Sequence, residues 1–203
     1  MQARRYLLSL IFSGSLLFGA AAQADMITAT FTGDNVAFMG LCADEDCETG
    51  TLYAETPNSD DWRNADSIPL DLGPGTYYFF WQVDNSGTGS LSNPAGFLGE
   101  IVWGSNTHSS SSTWQVSTDR MSWTSATEYG LNGGSNIWTN NNGGNPISGI
   151  STSAYWLWTA NNGNIEMDST AYFRTSITVP EPGTLALLGL GLFGLGVAKR
   201  RKI

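Results

Sequence analysis

Basic side chains are almost missing from the body of this 203-residue chain. Arg4 and Arg5 lie near one end and Lys199, Arg200, Arg201 and Lys202 near the other, which leaves Arg63, Arg120 and Arg174, and no lysine, between residues 25 and 179. Seventeen acidic residues fall in that interval, so its net charge is near −14. Phosphate backbones and anionic bilayers need a basic surface, so nucleic acid and a membrane-surface role are not expected of this part. Soft metal ligands are scarce as well: one histidine and two cysteines do not make a zinc centre. His108 stands beside the Ser109–Ser112 run and reads as a solvated loop residue, and no Gly-x-Ser-x-Gly turn supports a Ser-His-Asp triad. Carboxylate pairs can be drawn on paper, but a glycosidase pair is defined by its separation in space. No catalytic residue is assigned, and the expected role is not enzymatic. Helical periodicity beyond two turns is also missing between the two ends, as is any repeat of 20 to 50 residues.

The ends supply what the middle lacks. Residues 1–24 hold Arg4 and Arg5, an apolar run from Leu7 to Phe18, and Ala22-Gln23-Ala24, a small-x-small cleavage pattern. That order is a secretory signal peptide with cleavage before Asp25. Residues 179–203 begin with Val179-Pro180-Glu181-Pro182, continue through the uncharged stretch 183–198, and close on Lys199, Arg200, Arg201 and Lys202. As a helix of about 1.5 Å per residue the stretch spans roughly 24 Å, a thin membrane span. The basic tail would stay on the cytoplasmic side. Neither Pro180 nor Pro182 belongs in a helix interior, so the motif is held extended, in a form a peptidase can grip.

The same three elements in this order resemble the PEP-CTERM sorting signal of Gram-negative, biofilm-forming bacteria. The resemblance implies handling by exosortase, a membrane-embedded cysteine peptidase that cuts near Pro180-Glu181-Pro182. It also implies that the inner membrane holds the chain only transiently. Signal peptidase and exosortase are the processing partners so implied, and the cell surface or extracellular matrix is the destination.

Residues 25–178 then read as one all-β domain, a β-sandwich of eight to ten strands. Strand patterns run over 26–32, 36–41, 51–55, 75–84, 96–103, 113–117, 121–127, 154–159 and 171–179, with turn residues between them. The strongest, Gly75 to Asp84, is apolar on both faces and belongs mid-sheet. Residues 132–149, rich in Asn and Gly, read as a long surface loop with Trp138 as anchor. Cys42 and Cys47 flank an acidic stretch and, in an exported protein, are expected to pair across a short loop. Asp44, Asp46 and Glu48 make that loop a weak calcium candidate, and otherwise no cofactor is expected.

Eight tryptophans are more than a sugar site needs, and most serve a core. Trp62 is the exception, because Asp60, Asp61, Arg63 and Asn64 surround it with polar groups. Trp62, Asp60, Arg63 and Asn64 are therefore the tentative ligand-binding residues, with Trp114, Trp138 and Trp156 as further candidates. The runs Thr32-Gly33-Asp34-Asn35, Trp62-Arg63-Asn64-Ala65, Leu72-Gly73-Pro74-Gly75-Thr76-Tyr77 and Asn93-Pro94-Ala95-Gly96-Phe97 resemble galactose-binding-like jelly-roll modules, which implies a jelly-roll sandwich. Two functions remain: a matrix protein bound to exopolysaccharide, or a structural and adhesive sandwich without a sugar site. An extracellular carbohydrate-active hydrolase is the remotest reading.

Overall fold

The computed structural model describes residues 26–42, 44–45, 50–55, 61–86, 93–159 and 170–181, of which 50–55 as backbone alone. The expected signal peptide, the 183–198 span and the basic tail lie outside the described residues, as do Asp46, Cys47, Glu48, Asp60 and Pro182. Within Ala24–Glu181, one compact unit, alternating apolar and polar residues build twelve described strands: β1 (Met26–Asp34), β2 (Val36–Cys42), β3 (Gly50–Glu55), β4 (Asp66–Asp71), β5 (Gly75–Asp84), β6 (Gly96–Trp103), β7 (Asn106–Ser109), β8 (Gln115–Ser117), β9 (Thr124–Ser125), β10 (Thr127–Leu131), β11 (Tyr155–Trp158) and β12 (Thr170–Val179). One short helix, α1 (Ile137–Asn141), precedes β11.

The strands form two six-stranded sheets, and the pairings between them are antiparallel. The first runs β10-β11-β6-β1-β4, with β7 also on β6; the second runs β3-β2-β5-β12-β8-β9. Period-two alternation gives each sheet an apolar inner face. Ile27, Ala29 and Phe31 of β1 share one core with Phe79, Trp81 and Val83 of β5, and all six are fully buried. Each larger side chain contributes about 1.5–3 kcal/mol by leaving water. Aromatic contacts knit the layers: Phe97 of β6 lies 5.4 Å from Trp81 and 4.7 Å from Phe173.

β5 is central, as its two apolar faces predict, with β2 and β12 on its flanks. Two strands escape the sequence reading. β4 carries Pro69, which only an edge strand tolerates, and β4 is an edge. β7 is a polar hairpin return entered through Gly104 at φ 55. The expected strand over 121–127 is corrected to two shorter ones, β9 and β10, which belong to different sheets.

The Asn/Gly-rich stretch 132–149 lies at the surface as expected, with ten of its eighteen residues exposed, but it carries α1 and more than one anchor. Residues 132–154 fold back over the outer face of the first sheet and bury a second small core of Trp62, Leu98, Trp138, Ile147, Ile150, Ala154 and Trp156. Asparagine makes this fold-back affordable, because its amide satisfies backbone that has no ladder to join. Buried Asn132 donates to the carbonyls of Ile147 at 3.1 Å and Ile150 at 2.9 Å, and accepts from the Ile147 amide at 2.7 Å. Asn136 caps α1 by accepting from Thr139 N–H at 2.9 Å, and donates to the Leu131 carbonyl at 2.7 Å. Trp138 is the anchor the sequence indicates, seated on Gly96, where an added Cβ would come within 2.5 Å of the indole.

Candidate functional site

Covering the first sheet leaves the outer face of the second sheet as the place where side chains meet solvent over regular backbone. Register puts Phe80 of β5, Arg174 of β12 and Gln115 of β8 abreast in one row. Arg174 is nearly buried there. Its Nε donates to Gln115 Oε1 at 2.6 Å, an Nη donates to the Glu45 carbonyl, and its guanidinium lies 4.3 Å from the Trp123 ring centre. Beside it Phe80 stacks on Tyr172 at 5.8 Å and meets Trp123 edge-on at 6.5 Å. Arg120 covers the pair, 4.8 Å from Phe80 and 5.7 Å from Tyr172. Two of the three arginines of a strongly acidic unit thus lie against aromatic rings on one face.

The β8–β9 hairpin delivers Arg120 and Trp123 to that face. Asp119 accepts from the Met121 and Ser122 amides, both at 2.8 Å, and from the Ser117 hydroxyl at 2.9 Å. The same hydroxyl accepts from the Arg120 amide at 2.9 Å, which fixes Arg120 in a left-handed conformation at φ 63. The backbone amides of Ser122 and Met121, with the Ser117 hydroxyl, pull the Asp119 carboxyl down to about 2.

Next to this cluster opens a cleft of about 210 Å³, lined by Glu45, Tyr78, Thr113, Gln115, Arg174, Thr175 and Ser176. Its wall is carboxylate, amide, hydroxyl, phenol and guanidinium, and Trp123 adjoins it through Arg174, whose guanidinium lies over the indole. Such a set offers hydrogen bonds in both directions, with the partly exposed Trp123 as the neighbouring apolar ring.

The residues picked out from sequence fare differently. Trp62 is not the exposed platform expected: it is 8 % exposed and meets Trp156 edge-on at 5.9 Å in the second core. Its polar neighbours are used in the turn that closes over it. Asp61 accepts from Asn64 Nδ2 at 2.7 Å, while Arg63 reaches the Asn141 carbonyl at 3.3 Å and lies 4.4 Å over the Trp62 ring. The polar cluster is thus a turn that closes over a core tryptophan. Trp114, Trp138 and Trp156 are also core residues. Asp44 is exposed, and among the described residues no three His, Cys, Asp or Glu side chains gather as a metal site. No free cysteine occurs among the described residues; Cys42 ends β2, and its expected partner lies outside them.

His108 corrects another expectation. It sits half-buried on β7, stacks on Trp114 at 5.5 Å and pairs through Nε2 with the Thr175 hydroxyl at 2.8 Å, so it is a strut between the sheets. Burial pushes its pKa down. Trp123, Gln115 and Arg174 were not singled out by sequence. The available signal was Arg174, a lone charge on the outward-facing register of an otherwise apolar and hydroxyl-bearing last strand.

Asp34 ends β1 beneath the Trp138 layer. Burial raises its carboxyl to about 6, opposed by the indole of Trp138 and by Arg63. The Trp138 N–H favours the charged form without completing a well-aligned hydrogen bond.

The last element to position is the Pro-Glu-Pro motif. Val179, the final residue of β12, pairs with Gly75 and is 4 % exposed, and Pro180 and Glu181 follow it into solvent. Among the described residues no helix is long and apolar enough to cross a membrane; the 183–198 span lies outside them. No curated protein and no solved structure matches the chain, so the galactose-binding-like resemblance rests on its short motifs alone. A protein-family model does match, over residues 178–202, and its description is the PEP-CTERM protein-sorting motif. The chain therefore carries the PEP-CTERM sorting signal, the mark of an exported protein processed by exosortase.

Proposed function

We propose that the β-rich unit is a non-catalytic surface or matrix domain that holds exopolysaccharide in the cleft beside Trp123. The observation that carries this reading is the coincidence of Arg174, Gln115, Tyr78, Thr113 and Ser176 in one cleft, with Trp123 packed against Arg174 beside it. A sugar ring presents an apolar face and a rim of hydroxyls. Trp123 suits the first, and the amide, hydroxyl and guanidinium groups suit the second. Arg174 is fixed by Gln115 and Glu45 before any ligand arrives, so little side-chain entropy is lost on binding. The sorting signal supports the setting, since exported chains of this kind are released where extracellular polysaccharide lies. No cofactor is needed for this role.

The test is retention of the purified unit on gels cast with the producing organism's exopolysaccharide. Wild type is retarded, and Trp123→Ala is released several-fold while its urea transition stays cooperative, with a modest loss from the Arg174 and Phe80 contacts. Equal retardation of both proteins refutes the cleft. No retardation of either leaves the structural and adhesive sandwich as the function.

A further inference from the structure

The chain enters and leaves the sandwich at one pole. Met26 pairs with Asp71 at the start of β1, Val179 pairs with Gly75 at the end of β12, and only Leu72–Pro74 separates Asp71 from Gly75. The β6–β7 turn, Gly104-Ser105, closes the same pole, because Trp103 pairs with Ile27. There is no spacer between core and motif. Val179 is still a laddered, buried residue, and the next residue is Pro180. At about 3.3 Å per residue, Pro180 and Glu181 carry the chain only some 7 Å from the sheet.

We infer that this pole is a docking surface for exosortase, which meets the folded domain as it takes the motif. The inference rests on the exosortase-processing reading. A peptidase closing on Pro180-Glu181-Pro182 has two ways to find room: touch the pole, or unzip the end of β12. Unzipping would expose Ile177 and Val179, each 4 % exposed, and break the Thr76–Thr178 hydroxyl contact at 3.1 Å along with the β5 ladder. Contact leaves all of this intact. The pole's surface also suits contact. Met26 is 69 % exposed, Pro74 and Pro180 are exposed, and Gly104 and Ser105 are uncharged. In a strongly acidic unit, Asp71 and Glu181 put charge at this tip, and Asp44 and Glu45 follow β2, which runs toward the same end and reaches Tyr78 at Cys42. The partner surface that fits is partly apolar and carries no excess of negative charge.

Photo-cross-linking in cells tests it, with full-length precursor and a peptidase variant that binds but does not cut. The cross-linking residue p-benzoylphenylalanine is placed singly at Ser105, Pro74, Gly183 beside the motif, or Ser86, which follows the far end of β5. Expected are adducts with the peptidase from Ser105, Pro74 and Gly183 and none from Ser86. A Gly-Ser spacer inserted between Val179 and Pro180 should abolish the first two and keep the third. Adducts from Gly183 alone, or equally from Ser86, overturn the docking surface and leave processing intact. If Gly183 gives none and the wild-type size shift survives deletion of the peptidase, the processing reading falls, and the docking surface with it.

Discussion

Asp34 makes the acidity of this unit measurable at one residue. It is 3 % exposed, and burial lifts its carboxyl from 3.8 to about 6 against the pull of Trp138 and Arg63. A folded-state pKa above the unfolded value means the native protein holds the proton more tightly than the unfolded chain does. The stability from this group is therefore fully present below about pH 4 and is lost as pH rises through 6. The interval of about two units corresponds to about 3 kcal/mol, the free-energy cost of a buried carboxylate at neutral pH. Asp34→Asn removes the titration while keeping the side chain's shape. Urea unfolding of both proteins between pH 4 and 8 isolates the effect, because every other titration cancels in their difference. The stability of the variant relative to wild type should rise by about 3 kcal/mol from pH 4 to pH 7. A difference that does not change with pH refutes the burial argument.

Three further outcomes are expected. Gly96→Ala drives a methyl to 2.5 Å from the Trp138 indole, and urea unfolding should show a loss of about 1–3 kcal/mol. Trp62→Ala should cost about 3–5 kcal/mol in the same assay, as a core truncation does, and a loss near zero would return Trp62 to the surface. Pairing of Cys42 with Cys47, a proposal, predicts no mass gain on alkylation without reductant; its removal should lower stability by roughly 2 kcal/mol for so short a loop.

What could be read from the sequence followed from periodicity. Strands over 75–84 and 96–103 were legible to the residue, since Phe79, Trp81 and Val83 alternate cleanly and Pro74-Gly75 marks the entry. β4 was not, because Pro69 argues against a strand wherever edge position is unknown. Residues 132–149 were read as surface from their Asn and Gly content, but composition did not show that Asn132 and Asn136 supply hydrogen bonds that let part of this irregular backbone be buried. Trp62 was misread by the same rule in reverse: polar neighbours in sequence were taken as polar surroundings in space. The sorting signal was legible because it is linear, and order alone specifies it. The cleft was not, because Tyr78, Thr113, Gln115 and Arg174 come from three strands and the loop before β8, and only the register joins them.

The fold-back over the first sheet bears on where the proposed polysaccharide cleft lies. A two-layer sandwich has two outer faces. On the first, Leu98 and Glu100 of β6 are buried, at 0 % and 7 % exposure, under residues 132–154. Glu100 is matched there by the Ser109 hydroxyl at 2.9 Å and the Ser151 amide at 3.2 Å, so that layer is closed with its polar groups paired. On the second, among the described residues, the outward row Phe80, Arg174, Gln115 is covered by the hairpin that carries Arg120 and Trp123, and Arg174 also meets the Glu45 carbonyl. Tyr78, Thr113 and Ser176 remain open beside it. A polymer strand needs an open-ended groove rather than a closed cavity, and that is the form the proposal requires of this cleft. Placing a bulky residue at Ser176 should then block retention on polysaccharide gels as fully as Trp123→Ala does. One at Ser153, beside the closed first face, should not.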